Sequence, residues 1–224
     1  ADLEACLSCF EKTGWVDDFT IGKFDFPHLL IIPEKLYGRK RELSLLSEGF
    51  EQASNGRKKI ILISGDAGIG KTSIVNEIYN LEPDKIEFFL SGKFNKLKRN
   101  IPYSALVDAL RTLVRQILTG SQDNLAIWQE KILAAIGPNG QIIIDVIPEI
   151  EALIGPQPPV EKLEPVESQN RFSYTFIKFI RIFGQEKHPL VVFLDDLQWI
   201  DSASLKLIQS MMLDKDTKYL LVIG

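Results

Sequence analysis

Apolar residues fall into two rhythms along this chain. Short unbroken runs of β-branched and aromatic residues alternate with longer stretches whose apolar positions recur every three to four residues. The runs are "IILIS" (60–64), "IEFFLSG" (86–92), "PLVVFL" (189–194) and "YLLVI" (219–223), each suited to a buried strand, the first on both faces. The helical rhythm begins in "YGRKRELSLLSEGFEQ", which sets Leu43, Leu46 and Phe50 on one stripe, and returns in "KTSIVNEIY" through Ile74, Val75 and Ile78. Leu106, Leu110, Leu113 and Ile117 mark a helix over about 102–118, with Pro102 near its first turn, where proline is tolerated. Another helix over roughly 123–136 stops at "GPNG". Ser168 is placed to cap a helix that presents Phe172, Phe176, Phe179, Ile180 and Phe183 and ends at Gly184. A last helix starts after Asp201, which reads as its N-cap.

Strands alternating with helices predict an α/β fold with a parallel sheet. Residues 1–33 read as a linker or tail from a preceding domain. A short amphipathic helix (Leu3, Cys6, Leu7, Phe10) is followed there by a stretch with two prolines and no clear period. Residues 34–224 carry the sharper pattern and form the core unit. Residues 155–167 hold four prolines and read as a connector. No internal repeat or low-complexity tract interrupts the pattern.

Composition narrows the classes. At 224 residues and 45% hydrophobic, the chain can bury a sizeable core. A net charge of −4 gives no reason to expect nucleic acid or an anionic membrane as a partner. No apolar run approaches the ~18 residues of a membrane span. The opening "ADLEACLSCF" lacks the form of a secretory signal, so a cytoplasmic location is expected. Cys6 and Cys9 read as free thiols on one helical face, since a zinc site needs four ligands and His28 and His188 lie far off. The basic stretch "KFNKLKRN" (93–100) has one aromatic, Phe94, and reads as a solvated surface or protein contact. Trp199 is expected to pack the turn that follows the acidic pair "DD" at 195–196. The start at Ala1 and the stop at Gly224 straight after "KYLLVI" raise the expectation of a piece of a longer protein.

The most specific signal is "GDAGIGKT" (65–72), which satisfies G-x-x-x-x-G-K-[ST] between a strand and a helix. Its glycines let successive N–H groups converge on phosphate oxygens, which a Cβ would obstruct. The first turn of the following helix adds unpaired donors and a positive dipole end. Lys71 would reach the β- and γ-phosphates, and the Thr72 hydroxyl would be a magnesium ligand. The nucleotide contacts expected are Gly65, Asp66, Ala67, Gly68, Ile69, Gly70, Lys71, Thr72 and Ser73, with ATP and Mg²⁺ as cofactors.

A second motif answers the first. "PLVVFLDDLQW" ends an apolar run in Asp195 and Asp196, and a strand would deliver them to the carboxyl edge of the sheet, where open α/β folds bind ligands. Asp195 would hold Mg²⁺, through water, and Asp196 would orient an attacking water. Lys71 and Asp196 are thus the catalytic candidates, and Thr72 and Asp195 the metal ligands. Aspartate is a methylene shorter than the glutamate often found at the second acidic position, which makes turnover less secure than binding. Arg99, Arg171 and Arg181 are each candidates for a charge-stabilising finger, without a choice among them.

With these residues in view, "LYGRKRELSLL", "ILISGDAGIGKTSIVNEI" and "PLVVFLDDLQWIDSASLKLI" resemble the ATPase module of STAND-type signalling proteins within the AAA+ group of P-loop NTPases. "SGKFNKLKRNIPYSALVDALRTLVRQIL", "GPNGQIIIDVIPE" and "QNRFSYTF" resemble, more narrowly, the central domain of bacterial fusions that join a serine/threonine kinase, an ATPase and a sensor histidine kinase. The resemblance implies a three-layer fold with strand order 5-1-4-3-2, of which the fifth strand and a helical lid would lie beyond Gly224. It implies that Leu36, Tyr37, Gly38 and Arg39 border the adenine, and that flanking kinase and sensor domains are the partners. An outer strand left as an exposed edge makes self-association an expectation. Two functions stay open: a nucleotide switch that hydrolyses ATP slowly when complete, and a non-hydrolysing scaffold in which nucleotide is structural or absent. A small-molecule kinase would need an acceptor pocket and basic lid residues, for which the sequence offers no argument.

Overall fold

The computed structural model describes residues 38–66, 68–81, 86–186 and 188–224. The readings made on 1–33, on Leu36 and Tyr37 and on Ala67 lie outside the described residues.

Helix α1 (Lys40–Ser54) opens the described chain and buries Leu46, Gly49, Phe50 and Ala53, the one-sided stripe that its spacing announced. Strand β1 (Lys58–Ile61), helix α2 (Lys71–Leu81) and strand β2 (Phe89–Lys93) follow. A long helical excursion comes next: α3 (Ser104–Leu118), α4 (Gln122–Ile136), α5 (Gly140–Val146), α6 (Glu151–Ile154) and α7 (Pro165–Arg181). The chain returns through β3 (Leu190–Asp195), α8 (Ser202–Leu213) and β4 (Leu220–Ile223). The four strands form one parallel sheet in the order β1-β4-β3-β2, as the resemblance implies for these strands.

Alternation along the central strands divides the core into two layers. Val192, Leu194, Leu220 and Val222 join the large cluster built with α3, α4, α7 and α8. Val191, Phe193, Leu221 and Ile223 are also buried, on the opposite face. There α1 comes so close that a Cβ on Gly49 would meet the Ile61 and Leu221 side chains. At about 1.5–3 kcal/mol for each fully buried large apolar side chain, these two central strands anchor the domain. An aromatic group extends the larger layer: Phe88 meets Trp128 edge-on at 5.3 Å, and Trp128 stacks on Phe183 at 5.2 Å.

β1 departs from its reading as a strand buried on both faces. It starts at Lys58 and ends at Ile61, Ile60 is 43% exposed and Leu62 68% exposed. The cause is position, since β1 pairs within the described residues with β4 alone. Ser168 also differs from its assigned role. α7 begins at Pro165, whose missing N–H falls where a helix has no use for it, and Ser168 sits inside the first turn with its hydroxyl donating to the Leu163 carbonyl at 3.0 Å. α5 and α6 were not foreseen, because helices this short show no readable period. Asp201 does cap α8, accepting from the Ser204 N–H at 2.8 Å and from its hydroxyl.

Asp214 ties several elements at the end of α8. It accepts from Arg181 Nη2 of α7 at 2.6 Å and from the Thr217 hydroxyl, and its carbonyl accepts from Lys58 of β1. Burial pushes its carboxyl up, but the bonds from Thr217 and Arg181 outweigh that and hold it below the ordinary value. A lowered folded-state value means stability fully present above the unfolded-state value and lost as pH falls through the folded one. Asp214→Ala is therefore expected to destabilise by about 1 kcal/mol at neutral pH. Urea unfolding of the pair should show this difference shrink as pH drops below about 4.

Candidate functional site

β1 ends at Ile61 and the chain continues beside β4, where the Ile63 N–H donates to the Gly224 carbonyl at 2.7 Å. It then turns through 65–70 into α2. Gly68 (φ +80°) and Gly70 (φ +92°) take left-handed backbone there, while a Cβ at either would meet nothing within 4 Å. Glycine is thus required by the curl of the loop rather than by crowding. Among the described residues, the first amide of α2 with a backbone acceptor is that of Ile74, bonded to the Gly70 carbonyl at 3.1 Å. The N–H groups of Lys71, Thr72 and Ser73 belong to the helix's open first turn. Lys71 folds back over this loop, its ammonium donating to the carbonyls of Gly65 at 2.8 Å and Asp66 at 3.0 Å.

Asp195 is the last residue of β3, and Asp196 takes left-handed backbone (φ +57°) that turns the chain into a short 3-10 segment, Leu197–Trp199. The Asp196 N–H donates to Asp195 Oδ1 at 2.9 Å, which fixes the first carboxylate against the turn. Trp199 is partly buried against the core, and Lys96 lies 5.5 Å over its ring.

Both motifs line one open cleft of ≈ 820 Å³ at the carboxyl edge of the sheet. Gly65, Gly68, Gly70, Lys71, Thr72 and Ser73 face Asp195 and Asp196 across it. The structure therefore brings the separately read motifs together. Gly38 has positive φ, and Arg39 reaches the loop, donating to the Ile69 carbonyl at 3.2 Å while pairing with Glu42 at 3.0 Å. Arg171 and Arg181 are engaged elsewhere, with the Glu161 carbonyl at 2.6 Å and with Asp214.

Sequence reasoning missed Lys93. It belongs to the stretch read as a basic surface, yet parallel pairing places it beside Asp195 in register. Its ammonium lies 3.2 Å from Asp195 Oδ2 and 3.1 Å from Asp196 Oδ2, and Gln198 donates to Asp196 Oδ1 at 2.9 Å. The Lys93 bond, then that of Gln198, holds the Asp196 carboxyl below its ordinary value, and the same contact raises Lys93. A strand-end lysine next to a strand-end acidic pair was the available signal.

The donor set suits a phosphate with a hard cation. The loop offers a curled backbone, first-turn amides and an ammonium, and Thr72 stands exposed at the first turn, lining the cleft. Among the described residues no group of three or more His, Cys, Asp or Glu gathers to cage a metal. Mg²⁺ held by one or two protein oxygens, completed by phosphate oxygens and water, fits such a site.

Residues 35–223 match the family described as "AAA ATPase domain". The chain belongs to that family. This AAA ATPase domain is 38% identical over 197 residues to "Hybrid signal transduction histidine kinase G" of Dictyostelium discoideum, covering 88% of the chain and 6% of the relative. It is 27% identical over 200 residues to "Histidine protein kinase 1" of Candida albicans, covering 83% and 8%. A third relative, "Peroxide stress-activated histidine kinase mak3" of Schizosaccharomyces pombe, is 26% identical over 194 residues, covering 68% and 8%. The chain thus spans less than a tenth of the length of the curated relatives it matches. Among the described residues, no helix of the AAA ATPase domain is long and apolar enough to cross a membrane.

Proposed function

We propose that this chain is the ATP-binding switch module of a multidomain signal-transduction protein. The observation that carries the reading is the meeting of the glycine loop, Lys71 and Thr72 with Asp195 and Asp196 in one cleft. In this reading the amides of 65–73 hold the β- and γ-phosphates, and Lys71 exchanges its loop carbonyls for phosphate oxygens. Thr72 and Asp195 share Mg²⁺, which neutralises phosphate charge. Gly38 and Arg39 border the adenine end, and Asp66 and Ile69 complete the loop wall. Kinase and sensor domains flank the module, in line with the histidine kinases named among its relatives. Calorimetric titration with Mg²⁺-ATP tests the reading: one saturable site is expected, and an absence of binding heat across temperatures removes it.

Hydrolysis is the finer part of the reading. Asp196 orients the attacking water, and turnover is slow, because both carboxylate oxygens are held, one by Lys93 and one by Gln198. The same two contacts favour the second reading, a non-hydrolysing scaffold. Phosphate release separates the two. Asp196→Asn is expected to lower it at least tenfold. Release absent from the parent favours the scaffold, and release unchanged by this substitution points to a contaminant or to a different water-positioning group.

A further inference from the structure

Among the described residues, Lys93 is the cation seated directly between the carboxylates of the cleft, and the proposed reaction gives it no part beyond holding Asp196. It comes from β2, a different strand from either motif, and its side chain is 66% exposed, so packing does not hold it there. Its two short ion pairs do, at 3.2 Å to Asp195 and 3.1 Å to Asp196. Among the described residues, the other cation acting on Asp196 is Lys71 on the opposite wall, itself bonded to loop carbonyls.

We propose that Lys93 is a positioning residue that acts as an internal counter-ion to the acidic pair, and so sets how strongly nucleotide binding depends on Mg²⁺. The inference rests on the reading of the cleft as an ATP site. The physical argument is charge bookkeeping at short range. Two bare carboxylates repel an incoming polyphosphate and attract a polyphosphate that carries a divalent cation. An ammonium bridging them cancels one of the two negative charges, which weakens both effects together. With Lys93 in place, Mg²⁺-free and Mg²⁺-bound ATP differ less in affinity than the carboxylates alone would dictate. The residue also holds the side chains in a fixed orientation before any ligand arrives, as a bridging donor does.

The measurement is the ratio of the ATP dissociation constant in EDTA to that in excess Mg²⁺, taken by calorimetry on the chain and its variants. Lys93→Met should widen this ratio about tenfold, by weakening Mg²⁺-free binding and tightening the Mg²⁺ form. Lys93→Gln, polar but uncharged, should widen it similarly, and Lys93→Arg should stay within about twofold of the parent. Adding Asp195→Asn and Asp196→Asn to Lys93→Met should bring the ratio back down. A purely structural lysine would shift both constants alike and leave the ratio fixed. Ratios within about twofold of the parent in both Lys93→Met and Lys93→Gln overturn the assignment while leaving the ATP site intact. A parent that takes up no ATP under either condition brings down the site and this inference together.

Discussion

Replacing Lys71 with alanine is expected to weaken binding of Mg²⁺-ATP at least tenfold. The ammonium is poised over the loop by the Gly65 and Asp66 carbonyls, at 2.8 and 3.0 Å, and these are neutral acceptors that a phosphate can outcompete. A charge-assisted bond to a phosphate contributes about 1.5–3 kcal/mol, and about 1.4 kcal/mol corresponds to a factor of ten. The fold should not suffer. Lys71 stands in the first turn of α2, partly exposed, and alanine is the best helix former. Calorimetry should therefore show a loss of affinity while the thermal midpoint of the unliganded protein stays put. Equal affinities in mutant and parent would refute the assignment of this loop to phosphate.

The largest effect on stability is expected at Gly92, one residue before the lysine that bridges the acidic pair. A Cβ there would lie 2.4 Å from the Ala105 carbonyl oxygen and 3.0 Å from its carbon. These are backbone atoms of the first turn of α3, so no rotamer change relieves the contact. Gly92→Ala must push β2 and α3 apart, and overpacking of this kind costs about 1–3 kcal/mol. For a domain of this size that corresponds to a thermal midpoint lower by about 2–12 °C. Ser91→Ala, one residue away on the exposed side of the strand, is the control and should change little. A Gly92→Ala protein that melts with the parent would mean that the helix does not press on the strand as described.

Much of the architecture was legible because its signals are local. The central strands are continuous apolar runs, and α1, α3 and α7 carry clear one-sided stripes, so element types followed from spacing. The loop at 65–72 and the acids at 195–196 were legible as chemistry, since each motif is complete within a few residues. That they share one cleft depends on strand order, which the resemblance implied and the sheet shows. What escaped were consequences of pairing. The exposure of Ile60 and Leu62 follows from which strand lies at an edge, and composition says nothing about that. Lys93 looked like the first member of a basic run until register set it opposite Asp195. Ser168 failed as a cap because Pro165 starts the helix one turn sooner, and proline at the first position outweighed a serine further along.

The two sides of the cleft hang from unequal supports. The acids terminate β3, which has a neighbour on each flank, whereas the glycine loop continues β1, which within the described residues has β4 alone. Local opening begins where neighbours are few, so the loop is the yielding jaw and the acidic turn the firm one. A molecule long enough to touch both would stiffen the yielding jaw against the firm one. Through the Arg39 guanidinium on the Ile69 carbonyl, that stiffening would arrive at the start of α1.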